Sequence, residues 1–371
     1  MTYFLLSIGR GFLNLIYCFH KLCPVKNRIS FISRQSKEPS TDVLMLAEEL
    51  RQQSPDTEVV ISCRMIDPGL IGKIRYFFHM ITKQMHLFAT SQVVILDGYC
   101  IGACMLKHRK NLKIVQMWHA MGALKKFGYC TVGEKEGCSR AVAQGMRMHQ
   151  NYNVIFISSE ACREPMAAAF GCEEDRLEVM PLPRTDLILD PEVCEKNRRR
   201  IRERYPQIGK RKVILYAPTF RKNQDIRPYV KDLISAVDTK KYCLIVKLHP
   251  LDQKRVRTNR AIVDTEFSSL EMLSVADYVI SDYSAFIFEA AVAGKPLFLY
   301  IPDQKKYNTQ RGFLINPEKE IPAYRSGKAQ RIMQAIENGA YDLESIRKFA
   351  QKYVDVKGNS TKNMAEYILH M

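Results

Sequence analysis

Two histidines and one serine-rich turn carry the chemistry that this sequence offers. His119 lies in Trp118-His-Ala-Met-Gly-Ala-Leu-Lys-Lys-Phe-Gly128, at the end of an apolar run and ahead of a glycine-containing turn with two lysines. An imidazole titrates near neutrality, so beside an anion it suits the work of a general base. His249 closes Val246-Lys-Leu-His-Pro250, where strand alternation sets Lys247 and His249 on one side and Pro250 fixes the backbone that follows. Tyr216-Ala-Pro-Thr-Phe-Arg221 is a further strand that exits into a hydroxyl and a guanidinium. The stretch from Val279 to Tyr300 reads as a strand end, a polar turn holding Ser281, Asp282 and Ser284, an apolar helix stopped by Gly294, and another strand. Unpaired N–H groups and the helix dipole at such a start favour an anion. Asp282 or Ser284 serves equally well as a plain helix cap. One histidine alone is more often a hydrogen-bonded structural residue. Two at corresponding strand ends, with a serine turn at a third, point to phosphate chemistry.

The elements that position these groups alternate. Arg28 to Ser33 and Glu58 to Cys63 are short β-branched runs, and Asp42 to Gln53 between them has helical spacing. Val93 to Asp97, Lys113 to Met117 and Val154 to Ser158 read as buried parallel strands. After Leu182-Pro-Arg-Thr-Asp186 a charged helix, Glu192 to Tyr205, precedes strands at Val213 to Ala217, Leu244 to Leu248 and Tyr278 to Ser281. Helices at Gly327 to Asn338, Leu343 to Val354 and Asn359 to His370 close the chain. This pattern predicts an α/β protein of two Rossmann-like domains with a cleft between them, covering residues 25–189 and 190–371.

At 371 residues the chain has room for two such cores. A formal net charge of +17 calls for a polyanionic partner: phosphorylated substrates, an anionic membrane surface or nucleic acid. No nucleic-acid reader motif accompanies the charge, so nucleic acid is not the expected partner. The 11 cysteines include no C-x-x-C pair and read as reduced, mostly buried thiols. No P-loop, G-x-G-x-x-G, zinc-type pairing or G-x-S-x-G elbow is present, so no cofactor or metal is expected. Residues 1–24 are rich in Phe, Leu, Ile and Tyr but are interrupted by Arg10. The uninterrupted apolar runs fall short of the ~20 residues of a spanning helix, and signal-peptide features are missing. The segment reads as an amphipathic helix lying in a membrane interface. Leu70 to His86 is a second basic, aromatic candidate for the same surface, or else a domain helix with a solvated basic face.

Taken in order, Trp118-His119 with Leu124-Lys-Lys-Phe-Gly128, Pro183-Arg-Thr-Asp186, Tyr216-Ala-Pro-Thr-Phe-Arg221, Lys247-Leu-His-Pro250, Ser281-Asp-Tyr-Ser284 and Arg311-Gly-Phe313 resemble the CDP-glycerol glycerophosphotransferase family. The resemblance runs from about residue 90 to the C-terminus. It implies a GT-B-like fold and a peripheral protein on the cytoplasmic face of the cell membrane. It further implies transfer of a polyol phosphate, glycerol phosphate first, from a CDP-activated donor to a lipid-linked acceptor, with CMP released, in teichoic acid or related polymer synthesis. By the same resemblance His119 is the general base, and His249 contacts the diphosphate and assists departure of CMP. Arg184, Pro218, Thr219, Lys247, Ser284, Ala285 and Glu289 fall at donor-binding positions. Lys247 stands where the family often has arginine, Glu289 where aspartate is common, and Ala285 where a serine commonly follows Asp-Tyr-Ser. The turn Ala120-Met-Gly-Ala123 replaces Gly-Thr-Pro and is one residue longer. Two other readings share these features: an inverting GT-B glycosyltransferase using a nucleotide sugar, and a non-catalytic basic module for membrane or nucleic acid.

Overall fold

The computed structural model describes residues 2–135, 137–221, 225–249, 256–304 and 312–371. Pro250 and Arg311 of the sequence motifs lie outside them. The chain divides into two compact units. One holds Met1–Ala120, Lys126–Arg184 and Asp355–Met371; the other holds Met121–Lys125 and Thr185–Val354.

The first unit is built on a six-stranded sheet: β1 (Arg28–Ser33), β2 (Glu58–Cys63), β3 (Val93–Leu96), β4 (Lys113–Gln116), β5 (Val154–Ile157) and β6 (Leu177–Val179). Strand order is β2-β1-β3-β4-β5-β6 and every pairing is parallel. The runs Val-Val-Ile-Leu in β3 and Val-Ile-Phe-Ile in β5 are buried throughout, as helices on both faces of a parallel sheet require. The order reverses between β1 and β3, which makes their C-terminal ends the crevice where such sheets accept ligands.

The second unit repeats the scheme with β7 (Lys212–Tyr216), β8 (Tyr242–Val246), β9 (Ile262–Val263), β10 (Tyr278–Ser281), β11 (Leu297–Tyr300) and β12 (Tyr324–Ser326). Here the order is β12-β11-β10-β7-β8-β9, again all parallel, with its reversal between β10 and β7. One core cluster joins Ile214, Leu244, Ile280 and Phe298 of the strands to Val230, Leu233 and Ile332 of the covering helices. Local signals set the helix starts. Ser40 accepts from the Val43 N–H ahead of the helix Thr41–Gln53, and Asp190 with Pro191 opens Pro191–Arg204.

The expected second domain, 190–371, differs from the structure at its end. The last helix, Ser360–Leu369, belongs to the first unit: Asp355 N–H donates to Ser158 O at 2.7 Å, and Tyr367 meets Phe156 edge-on at 5.5 Å. Val354 and the short break after it let the chain return, a connection that local periodicity does not encode.

The N-terminal segment is one helix, Thr2–His20, whose length and mean hydropathy of 1.2 are enough to cross a membrane. The apolar residues run further around it than uninterrupted counting suggests, because Arg10 is its only charge besides the terminal histidine. One side is fastened to the first unit: Asn14 donates to Met105 O and accepts from Lys107 N–H, and Tyr17 is buried against His108. The other side leaves Phe4, Phe12 and Phe19 exposed. The second candidate is the helix Gly69–His79, which also turns Leu70, Ile71 and Phe78 to solvent, Phe78 at 57% exposure.

Candidate active site

His119 sits three residues beyond β4, on a backbone turn that neighbouring side chains hold in place. Gln116 at the strand end donates to Gly98 O (3.0 Å) and accepts from Trp118 N–H (3.0 Å). Trp118 itself has φ +64°, a conformation that L-residues rarely adopt and that costs about 1–3 kcal/mol. Its indole is stacked on Phe127, with centroids 4.4 Å apart, and meets Phe170 edge-on at 5.2 Å, which holds the turn. The strained residue directs the next side chain, His119, back across the sheet end. His119 Nδ1 lies 2.7 Å from the backbone carbonyl of Asp97, at the end of β3. A carbonyl can only accept, so Nδ1 carries the proton and Nε2 keeps its lone pair. Gln35, after β1, approaches the same nitrogen at 3.3 Å. A Cβ at Gly98 would come within 2.5 Å of the Gln35 amide nitrogen, so a larger residue there would displace the Gln35 side chain from His119. Burial pushes the His119 pKa below that of an ordinary histidine, against the pull of the Asp97 carbonyl, and the ring is neutral at pH 7. The β1 and β3 ends that meet the ring are the pair flanking the strand-order reversal.

Arg184 secures the same turn from its other side. Its backbone N–H and Nε donate to the buried carboxylate of Asp42 at 2.9 and 2.8 Å, and Nη2 donates to His119 O at 2.9 Å. Part of the guanidinium is thus committed to holding His119. Asp97 contributes a buried carboxyl whose pKa burial pushes up to about 6. Gln35, Asp42 and Asp97 escaped the sequence reading. The Asp97-Gly98 pair directly after an apolar strand was the available signal.

In the second unit, the ends of β7 and β10 are tied across the corresponding reversal. Asp282 accepts from Thr219 N–H (2.9 Å) and Thr219 Oγ1 (2.7 Å) and pairs with Arg221 at 2.8 Å. Arg221 also pairs with Asp303 at 2.7 Å, and all three charged side chains are buried. Ser281 Oγ donates to Ala217 O at 2.8 Å. Pro218 sits between these bonds and restricts the backbone. The cap reading of Asp282 is therefore corrected: its oxygens face β7, drawn there by a buried guanidinium. Ser284 Oγ accepts from Phe286 N–H at 3.3 Å, and the helix Phe286–Val292 starts at Ala285 with no side-chain cap. Glu289 is buried one turn further on.

Lys247 donates to Asp264 at 2.7 Å, and Tyr205 donates to the other oxygen of that carboxylate at 2.6 Å. Burial alone would raise the Asp264 pKa, but the bonds from Lys247 and Tyr205 outweigh it and hold the carboxylate below its usual range. His249 is exposed, with its ring 5.4 Å from that of Phe220. The Leu124-Lys-Lys motif contributes Lys125, whose Nζ lies 3.4 Å from Thr219 Oγ1. Gly122 opens the way for it: φ is +64°, and a Cβ there would fall 2.4 Å from the Phe288 ring.

His119 thus comes with Gln35, Asp97 and Arg184 in one unit, and Thr219 with Asp282, Arg221 and Lys125 in the other. Two parallel α/β sheets, each with polar groups gathered near its strand-order reversal, define a class of two-unit α/β proteins. The chain belongs to the CDP-glycerol:poly(glycerophosphate) glycerophosphotransferase family, whose model matches residues 15–370. It is 30% identical to a teichoic acid ribitol-phosphate primase of Bacillus spizizenii, covering 99% of this chain and 98% of that protein. A teichoic acid glycerol-phosphate primase of Bacillus subtilis is 29% identical, over 78% of this chain and 76% of its own. The structure of the wall teichoic acid polymerase TagF superposes with a TM-score of 0.77 at 18% identity, covering 99% of this chain and 97% of that one. At that identity the likeness is one of fold.

Proposed function

We propose that this chain transfers a polyol phosphate from a CDP-activated polyol to a hydroxyl of a lipid-linked acceptor in teichoic acid synthesis. The observation that carries the reading is the fixed tautomer of His119: Nδ1 is spent on Asp97 O, which leaves a basic Nε2. In this reading Nε2 takes the acceptor hydroxyl proton, the alkoxide oxygen attacks the phosphorus that bears the polyol, and the bond to CMP breaks. Positioning and electrostatics dominate such reactions. Pro218, Thr219, Ser284 and Ala285 receive the diphosphate at the β7 and β10 ends, and His249 stabilises departing CMP. Glu289 serves the ribose. Lys247 and Arg184 complete the donor set, each with part of its charge already held by a carboxylate, Asp264 and Asp42 respectively.

The family description supports a CDP-polyol donor, and TagF crystals soaked with CDPG point the same way. For the polyol, that description names glycerophosphate, whereas a relative aligned over nearly the whole chain is a ribitol-phosphate primase. The test is a screen of CDP-glycerol and CDP-ribitol with a membrane acceptor and mass analysis of the lipid-linked product. A product heavier by one or more polyol phosphates supports the reading. Absence of product with both donors rejects it.

The exposed apolar residues of Thr2–His20 and Gly69–His79, together with Lys73 and Arg75, suit attachment to an anionic membrane on the cytoplasmic face. The hydrogen bonds of Asn14 and the burial of Tyr17 favour a helix that lies in the interface over one that spans it.

A further inference from the structure

A cavity of ≈ 280 Å³ opens in the second unit near the C-terminal ends of β10 and β11 and beside β12. None of the residues proposed above as base or diphosphate contact lines it. Its apolar lining includes Leu299, Ile301, Ile321 and the ring pair Tyr283–Phe313. Its polar lining is Asp282, Gln304, Asn316, Glu318 and Arg325. Gln304 donates to Glu318 at 2.9 Å, and Arg325 Nη2 donates to Ile321 O at 2.8 Å.

Charge and shape restrict the occupant. Asp282 is paired with Arg221, which it shares with Asp303, and the other charges among the described lining residues, Glu318 and Arg325, are of opposite sign, so these residues carry no excess of positive charge that would select a phosphate. The Tyr283 and Phe313 rings are 5.7 Å apart and tilted by 41°, in contact with each other, which leaves no slot for a base between them. What the lining offers is donors (amides, guanidinium) and acceptors (carboxylates) over apolar walls. That pattern matches a neutral chain of hydroxyl-bearing carbons, because each hydroxyl both donates and accepts. Tyr283 also directly precedes Ser284 in the turn after β10.

We infer that this cavity receives the polyol end of the donor and sets which polyol is accepted; the inference rests on the transferase reading above. The experiment uses the full chain and the variants Arg325→Gln, Glu318→Gln and Ile321→Phe, with CDP-glycerol, CDP-ribitol and CMP as probes. CMP carries the nucleotide without the polyol, so its thermal shift reports both folding and the nucleotide site. Loss of one charged hydrogen-bonding group should raise KM for the preferred CDP-polyol about tenfold and leave the CMP shift unchanged. Ile321→Phe, which fills the cavity, should penalise CDP-ribitol more than the shorter CDP-glycerol. Parallel changes for CMP and CDP-polyols, or no change in any variant, would overturn the assignment while leaving the transferase intact. A wild-type chain that turns over neither CDP-polyol brings down the transferase reading, and this inference with it.

Discussion

Asp97 is the residue whose charge state most directly reports how the candidate base is housed. Burial raises its carboxyl pKa to about 6, above the ordinary value. A carboxyl with a raised folded-state pKa contributes stability below its unfolded pKa, and that contribution is lost as pH rises through the folded value. Relative to Asp97→Asn, the wild type should therefore lose about 2–3 kcal/mol between pH 4 and pH 7. Urea denaturation of both proteins at the two pH values measures the difference; parallel curves would show that Asp97 titrates normally. His119 gives the matching kinetic expectation. Because burial lowers its pKa, the acid limb of the rate profile should fall below the ordinary histidine value of about 6.5. A pH series of CMP release locates that limb.

In the second sheet, the ends of β7 and β10 are tied across the strand-order reversal by Asp282 and Ser281. Asp282→Ala removes both Thr219 bonds and leaves Arg221 with Asp303 of its two carboxylates. The expected cost is about 2–3 kcal/mol, because Arg221 keeps Asp303 and the loss falls on the Thr219 donors that had bonded a carboxylate; chemical denaturation reads it directly. Ser281→Ala removes one neutral bond to Ala217 O and should cost only about 1 kcal/mol. The strands themselves were legible, since β1, β2 and β10 match their apolar runs residue for residue. β6, β9 and β12 were not, being two or three residues long with little periodicity to read. The motifs picked out strand ends, but not the bonds that their side chains make there. A helix cap was one of two readings open for Asp282, because sequence shows its distance to the helix and hides its pairing with Arg221, far away along the chain. The partners of Arg184 and Lys247, Asp42 and Asp264, were illegible for the same reason: only the fold brings them in.

For the whole molecule, the +17 charge and the exposed apolar helices concern where the protein works. Replacing Phe4, Phe12 and Phe78 together by Ser should release the chain from anionic vesicles in a flotation assay, and raised salt should weaken wild-type binding. Unchanged flotation of the triple variant would reject attachment through these two helices. The return of the last helix to the first unit was illegible, since a helical pattern says nothing about the sheet against which it will pack. The twofold α/β plan was legible because each half carries its own alternation of buried strands and helices. The most direct test of the central claim compares CMP release by the wild type and His119→Ala, with CDP-glycerol and CDP-ribitol and a lipid-linked acceptor. The wild type should release CMP, and the variant should do so about 10²–10⁴-fold more slowly with its CMP thermal shift retained. Wild-type turnover in His119→Ala would contradict it.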